Sequence, residues 1–409
     1  MKTQTHHLHA TTQALSAPTQ RAIFLLSLAT FCSMAVQRIC DPMLPELSRV
    51  FGTPISEASR VISFFAITYG LMQLFYGPVG DRFGKYRVVM LATIGCSLGS
   101  LMSALSADLT LLIGARMGTA LAAAAIIPLS LAWVGDAVHY EQRQETLARV
   151  GLGTMLGMTA GQLFGGLLTD TLGWRWAFVL MSIAFAAVSF LLYRQLKHLE
   201  PAAQHAHAPL GFFQQLKDVA RNPWARTFLS LALVEGATVF GVLAMTAAHL
   251  HQIHHISLTM AGGTTAFFGL GGMAYMATAK ITIRRLGEVG LARYGGIGFA
   301  AAFVVIAFSP WWQLALPSCF VAGFSFAMFH NTMQAKATQL LPKARGTGVT
   351  LFAGFMFLGQ SLGVLVLSEM FNHFNSQYIL GADALVVCAL GLFLSRAIVK
   401  RNATKADHA

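Results

Sequence analysis

Gly77-Pro78-Val79-Gly80-Asp81-Arg82-Phe83-Gly84-Lys85-Tyr86-Arg87 is a charged stretch punctuated by glycines. Long apolar runs flank it, Val61 to Tyr76 before and Val88 to Ala107 after. An apolar run of helical length, a short charged turn and a second such run describe two membrane spans joined by a tight loop. The glycines allow a sharp reversal and close helix approach. Arg82, Lys85 and Arg87 would hold the loop on the cytoplasmic side. Asp81 is expected to pair with one of these cations or to cap a neighbouring helix.

The composition extends this reading to the whole chain. Of 409 residues, 55% are hydrophobic and only 11% charged, where a soluble domain carries about 25% charged residues. Apolar spans are read at 22–47, 59–80, 86–106, 109–134, 146–168, 175–193, 226–248, 260–283, 290–309, 312–334, 346–370 and 377–397. All of the 28 basic residues except Arg38, Arg49, Arg60, Arg116 and Arg175 fall on the side of Asp81. That bias places both termini in the cytoplasm. The net charge of +12 is then an orientation signal, and no nucleic-acid partner is needed to explain it.

Residues 1–20 are polar, include His6, His7 and His9, and read as a cytoplasmic tail rather than a cleaved leader. A polar interval at 194–225 divides the spans into halves at 21–193 and 226–397, and 398–409 forms a second tail. Within the interval, Phe212, Phe213, Leu216 and Val219 are spaced for a short amphipathic helix at the membrane surface. Arg285-Leu286-Gly287 follows the eighth span much as Arg82-Phe83-Gly84 follows the second, and Arg345 precedes the eleventh as Arg143 precedes the fifth. These echoes are those of an internal duplication. Cys32, Cys40, Cys96, Cys319 and Cys388 lie scattered in apolar segments with no ligand spacing, so no metal is expected.

The opening stretch resembles the loop between helices 2 and 3 of the major facilitator transporters. Gly77, Asp81, Arg82, Gly84, Lys85 and Arg87 occupy every position of that family's pattern. The fifth span carries Gly157, Gly161, Gly165 and Gly166, similar to the glycine motif of the drug:proton antiporter branch. Gln162 stands where that branch has proline. Arg116 in the fourth span matches a family arginine, followed loosely by Gly118-Thr119-Ala120. Asp41 with Leu44-Pro45 resembles the acidic residue that the branch carries near the end of helix 1. The resemblance implies an all-α membrane protein with twelve transmembrane helices in two six-helix halves. It also implies small-molecule and proton partners, no cofactor, and a monomer in the bacterial inner membrane.

Ionisable groups inside apolar spans are costly and are functional candidates by default. Glu235 lies some nine residues into the seventh span, ~14 Å along the helix, with no basic residue within a turn. An unpartnered buried carboxyl suits uptake and release of a proton, although recognition of a cationic substrate or a structural role would use it equally. Arg38 and Asp41, three apart, pair on one helix face, as a static pair or as one that opens on protonation. Arg116 should face a wet cavity or another helix's carboxylate or carbonyls.

Tyr69, Gln73, Gln162, His330, Asn331, Gln334 and Gln360 are candidates to line a cavity. Phe64, Phe65, Met155, Met158, Phe240, Met245, Phe267, Phe268, Phe326 and Phe355 interleave with them as packing residues or as the wall of an adaptable pocket. His249, His251, His254 and His255 read as a polar loop, a metal site or an outer pH sensor, with His251 and His255 sharing a face if the helix continues.

No phosphate-binding loop of the Gly-x-x-x-x-Gly-Lys-Ser/Thr kind is present, so ATP hydrolysis by this chain is not expected. No metal-binding histidine-glutamate motif argues for a membrane enzyme, and no appended domain argues for a receptor. The expected function is proton-coupled efflux of small amphiphilic compounds, with a sugar or metabolite permease on the same fold as the alternative.

Overall fold

The computed structural model describes residues 15–199, 219, 221–340 and 345–406. His6, His7 and His9, with Phe212, Phe213 and Leu216 of the amphipathic stretch, lie outside them. Among the described residues every long element is a helix.

In the first half, α1 (Ala17–Arg38) passes through a 3₁₀ turn, Asp41–Met43, into α2 (Leu44–Phe51). The short α3 (Ile55–Ala58) precedes α4 (Arg60–Phe83), α5 (Lys85–Ala104), α6 (Leu109–Ala123) and α7 (Ile126–Ala137). Then come α8 (Tyr140–Thr171) and α9 (Trp174–Leu196). In the second half, α10 (Pro223–Glu235) runs through a π turn, Gly236–Phe240, into α11 (Gly241–His254). The long α12 (Leu258–Phe308), α13 (Ala315–Ala337), α14 (Arg345–His373) and α15 (Ser376–Ala406) complete it.

Ten helical stretches among the described residues are long and apolar enough to cross a membrane, two fewer than the sequence leads one to expect. Two local causes account for the difference. The 51 residues of α12 are interrupted only at Gly287, whose φ of 61° leaves the helical region, so two expected spans run together. The other case is α8, whose first turns carry Gln142, Arg143, Glu145 and Arg149 and whose later turns are rich in glycine and threonine. Leu98, Ile183, Phe190, Leu385 and Phe393 are exposed, as the lipid-facing side of a membrane protein requires.

The charged stretch that opened the reading is less of a loop than expected. Helix α4 continues through Phe83, so Gly77 to Phe83 are helical, and the reversal is made at Gly84, with φ 87°. Gly287 repeats that device in the second half. The expected fourth span is broken between Ala123 and Ile126. Pro128 explains this, because its ring clashes with the carbonyl four residues earlier, at Ala124.

Small residues set the closest contacts. A Cβ at Gly153, Gly157, Gly161 or Gly165 on α8 would strike the carbonyl oxygen of Ser27, Phe31, Ala35 or Ile39 on α1. The two backbones therefore touch at every fourth residue. In the second half, Gly359 and Gly363 on α14 stand in the same relation to Leu233 and Ala237. Lipid gives no hydrophobic drive to helix pairing, so close van der Waals contact of this kind is what joins helices.

At the end of the bundle away from Asp81, polar contacts join the halves. Asp170 Oδ2 accepts from Thr259 N at 2.6 Å and Thr259 Oγ1 at 2.7 Å. Ser59 Oγ donates to Ser368 Oγ at 2.8 Å, and Asn372 Nδ2 to Ser56 Oγ at 2.7 Å.

Candidate functional site

The ionisable candidates lie in two buried polar centres. The first forms where α1 ends. Pro42 cannot donate a backbone bond, and the helix tightens into the Asp41–Met43 turn, holding Asp41 over the last turn of α1. Arg38 Nη1 lies 3.6 Å from Asp41 Oδ2, with both side chains buried. That distance makes an ion pair rather than a hydrogen bond. Gln162 Nε2, from α8, donates to Asp41 Oδ2 at 3.1 Å. Thr265 Oγ1, from α12 in the other half, donates to Gln162 Oε1 at 2.9 Å.

Arg116 is buried beside this group. Its Nη1 donates to the Val36 carbonyl at 2.8 Å, and its Cζ lies 4.1 Å from the Phe65 ring centroid. A carbonyl of another helix was one of the partners expected for it. Arg116 Nε and Nη2, Arg38 Nε and Asp41 Oδ1 make no hydrogen bond among the described residues. Two buried guanidinium groups thus lie near one buried carboxylate, Arg38 paired with it and Arg116 at longer range.

The second centre is built on the π turn. Glu235 ends α10, and Gly236 lies so close to α14 that a Cβ there would strike the Met356 carbonyl. A π turn of this kind is common at functional sites. Glu235 has a partner, contrary to its lone appearance in the sequence. His330 Nδ1, from α13, lies 2.8 Å from Glu235 Oε1. Glu235 is 0% exposed and His330 20% exposed. Glu235 Oε2 makes no hydrogen bond among the described residues. The His330 ring lies between Phe326, at 5.0 Å, and Phe352, at 5.5 Å.

Phe240, the last residue of the π turn, joins the two centres. Its ring lies under Arg38, 4.4 Å from Cζ, and 5.2 Å from Phe326. Phe326 in turn stacks on His330.

The remaining candidates divide. Tyr69 is buried against Phe357, at 4.5 Å, on the surface where the halves meet. Gln73 and Gln360 are also buried, and the Oε1 of each lacks a hydrogen bond among the described residues. Asn331 is half-buried, but Gln334 is exposed one turn beyond His330 and does not join Glu235. Phe64 is exposed, and so is Phe267, which lines a lateral apolar groove of about 360 Å³ with Leu163, Met260 and Trp312. Phe65, Met158, Phe240, Met245, Phe268 and Phe326 are core residues.

The histidine cluster is split. His249 is buried, with Nδ1 2.8 Å from Ser376 Oγ and Nε2 3.2 Å from the Ile306 carbonyl. Helix α11 ends at His254 and His255 turns left-handed, with φ 55°. The helix that would align His251 with His255 therefore does not continue.

In the charged stretch, Lys85 Nζ lies 3.2 Å from Asp81 Oδ1 and 2.5 Å from Asp136 Oδ2. Arg82 rests on Phe83, while nothing approaches the Cβ positions of Gly77 and Gly84. The second half has its own pair, Lys336 Nζ to Glu288 Oε2 at 2.5 Å. Sequence reasoning missed Asp136, Thr265, Phe352, the π turn and this second pair. Gly236 directly after Glu235 was the one local sign of the π turn.

The bundle is two glycine-packed halves, and the Arg38–Asp41 centre touches the second half through Phe240 and Thr265. A family model described as Major Facilitator Superfamily matches residues 26–364 and 238–407, and the chain belongs to that family. It is therefore an integral membrane transport protein. A probable sugar efflux transporter of Pasteurella multocida (strain Pm70) is 22% identical over 378 residues, 91% of each chain. The probable multidrug resistance protein EmrY of Escherichia coli (strain K12) is 31% identical over 155 residues, 38% of this chain and 30% of that one. Among solved structures, a bacterial homolog of the human lysosomal transporter Spinster, inward-facing and unoccupied, superposes with a TM-score of 0.76. It is 17% identical, covering 95% of this chain and 99% of that one, a likeness of fold.

Proposed function

We propose that this transporter exports small amphiphilic compounds in exchange for protons, by alternating access of the halves 21–193 and 226–397 across twelve membrane crossings. The observation that carries the reading is the buried Glu235–His330 pair. One carboxylate oxygen there has no hydrogen bond among the described residues, and the imidazole lies between two aromatic rings. A carboxyl–imidazole pair at this depth holds a proton between two groups and can pass it on without leaving a lone buried charge. The surrounding phenylalanines favour a substrate with an apolar body.

In this reading Glu235 takes the driving proton. Arg38 and Asp41 are the second candidate, and Arg116 braces them. Tyr69, Gln73, Gln162, His330, Asn331, Gln334 and Gln360 contribute polar contacts as the halves move. Gly77, Asp81, Arg82, Gly84, Lys85 and Arg87 latch the cytoplasmic ends. The bias of basic residues supports cytoplasmic termini, with the 194–225 linker on the same side. The protein acts as a monomer in the bacterial inner membrane.

A sugar or metabolite as substrate is the second reading. The full-length similarity to a probable sugar efflux transporter favours it, as do the buried amides of Gln73 and Gln360. Proteoliposomes with an imposed pH gradient test both. Gradient-driven movement of amphiphilic dyes supports the first reading, gradient-driven movement of sugars alone supports the second, and no response to the gradient overturns both.

A further inference from the structure

We propose that Gln162 is the positioning residue that ties the protonation state of Asp41 to the contact between the halves. The outer end stays closed while Asp41 is charged and is released when Asp41 takes a proton. The inference rests on the alternating-access reading, but not on Glu235 as the site of the driving proton.

The geometry is a three-residue strut with one end in each half. Asp41 accepts from Gln162 Nε2 at 3.1 Å, and Gln162 Oε1 accepts from Thr265 Oγ1 at 2.9 Å. Gln162 and Thr265 are both buried. The backbones close around the strut, since a Cβ at Gly262 would strike the Gln162 carbonyl and one at Gly166 the Leu258 carbonyl. Asp170 and Thr259 fasten the same two helices two turns further out.

The charges around Asp41 give the strut its direction. Arg38 lies on its own helix, the Cys40 thiol is adjacent in sequence, and Arg116 faces it from α6. Glu46 and Arg49, on α2, bind each other at 2.7 Å and are turned outward. From the second half, Phe240 covers Arg38, while His249 on α11 is turned to Ser376 and Ile306. While charged, Asp41 is the counter-ion to two buried guanidinium groups and makes a charge-assisted bond to Gln162. A neutral Asp41 leaves both cations without a counter-charge in a buried space, which favours entry of water and separation of the helices. The bond to Gln162 weakens at the same step.

Release at the far end of the strut is easy. Thr265 Oγ1 also lies 3.0 Å from the Gly262 carbonyl and 3.2 Å from the Ala261 carbonyl of its own helix. When Gln162 withdraws, the hydroxyl turns to these and no donor is stranded. Proline at position 162 would have neither amide group for the strut, so glutamine there is a functional substitution in the glycine motif.

The test uses the full-length protein in lipid nanodiscs with Cys388→Ser. Spin labels are placed at Thr171→Cys and Gln313→Cys, two exposed sites at the outer ends of opposite halves, and their separation is measured at pH 8 and pH 5. The unaltered strut should show the short separation at pH 8 and a longer one at pH 5. Asp41→Asn should show the longer separation at both.

The decisive variant is Thr265→Val, close in shape and uncharged, which removes the hydroxyl bonded to Gln162 and should lose the response to pH. Thr265→Ser should recover it. Thr265→Val with an unaltered response, or Asp41→Asn closed at pH 8, overturns the inference. If Glu235→Gln removes the response and Thr265→Val does not, the outer end follows the other polar centre. The strut then fails while the transporter reading stands.

Discussion

Asp41 and Glu235 are both fully buried carboxyls in a membrane span, yet they are partnered in opposite ways. Asp41 is held by a permanent cation, Arg38, and an amide, Gln162, with a second cation, Arg116, at longer range. Its charge is needed where it is. Glu235 is held by one imidazole, that of His330. On the proposed reading, a change at Asp41 is answered by movement, whereas a change at Glu235 is answered by its partner. The comparison teaches that depth alone does not assign a role to an acidic residue in a membrane. The kind of partner decides whether the carboxyl acts as a proton carrier or as a clasp.

The sharpest way to break this contrast is to fix each acid in its neutral form. Glu235→Gln should lower uphill transport by ~10²-fold or more, the scale of a lost proton-transfer group, while substrate exchange at equal pH persists. Asp41→Asn should affect exchange and uphill transport alike, because it alters movement rather than proton delivery. Flux in proteoliposomes with and without a pH gradient separates the two. Glu235→Gln with unimpaired uphill transport removes it as the proton site.

Next in size is Arg116. Arg116→Ala should abolish transport and cost about 2–3 kcal/mol, the scale of a hydrogen bond to a charged group, read by thermal unfolding in detergent. Arg116→Lys keeps the charge but not the planar fork that bonds Val36 while lying over Phe65, so it should recover transport only in part. Full activity of the alanine variant would mean that Arg38 alone suffices for Asp41.

The glycine stripes allow the two halves to be compared directly. Gly161→Leu and Gly363→Leu each force a side chain into a backbone contact and should cost about 1–3 kcal/mol apiece. Similar losses would support equivalent packing of α8 on α1 and of α14 on α10. A much smaller loss at one site would show that its half has room to relax.

The smallest effects are expected at the charged turns. Lys85 bridges Asp81 and Asp136, while Lys336 pairs with Glu288, so the lysine is at the turn in the first half and on the neighbouring helix in the second. These pairs are partly exposed and contribute ~1 kcal/mol or less to stability. Asp81→Asn or Arg82→Ala should leave insertion intact and slow transport a little. Reversing the second pair as Lys336→Glu with Glu288→Lys should restore what either change alone loses. Transport rates at equal membrane abundance check both, and wild-type rates in the single variants would remove the turns from the mechanism.

The helical architecture was legible because its signals are local. An apolar run, a glycine at a reversal and a cluster of basic residues each lie within a few turns of chain. Asp41 and Arg38 were also legible as a pair, being three residues apart. The partners that give the acids different chemistry were not. His330 is 95 residues from Glu235, and Gln162 is 121 residues from Asp41. Gln162 drew notice as a departure from proline, but nothing near it points to Asp41 or Thr265. Gln334 is exposed in this structure, since spacing on one helix face says which residues share a direction, not what that direction meets. The turn at Gly77 to Phe83 misled because its glycines and proline fit a loop as readily as the end of a tightly packed helix.

The separation of Glu235 and His330 along the chain has a consequence for biogenesis. Synthesis proceeds from the N-terminus, and early segments enter the bilayer before later ones are made. When Arg116 arrives, the Val36 carbonyl that receives it is already in place, 80 residues earlier. Glu235 has no such reception, because the histidine that will hold it has not yet been translated. The pairing of Glu235 with His330 is completed only when α13 folds in beside α10.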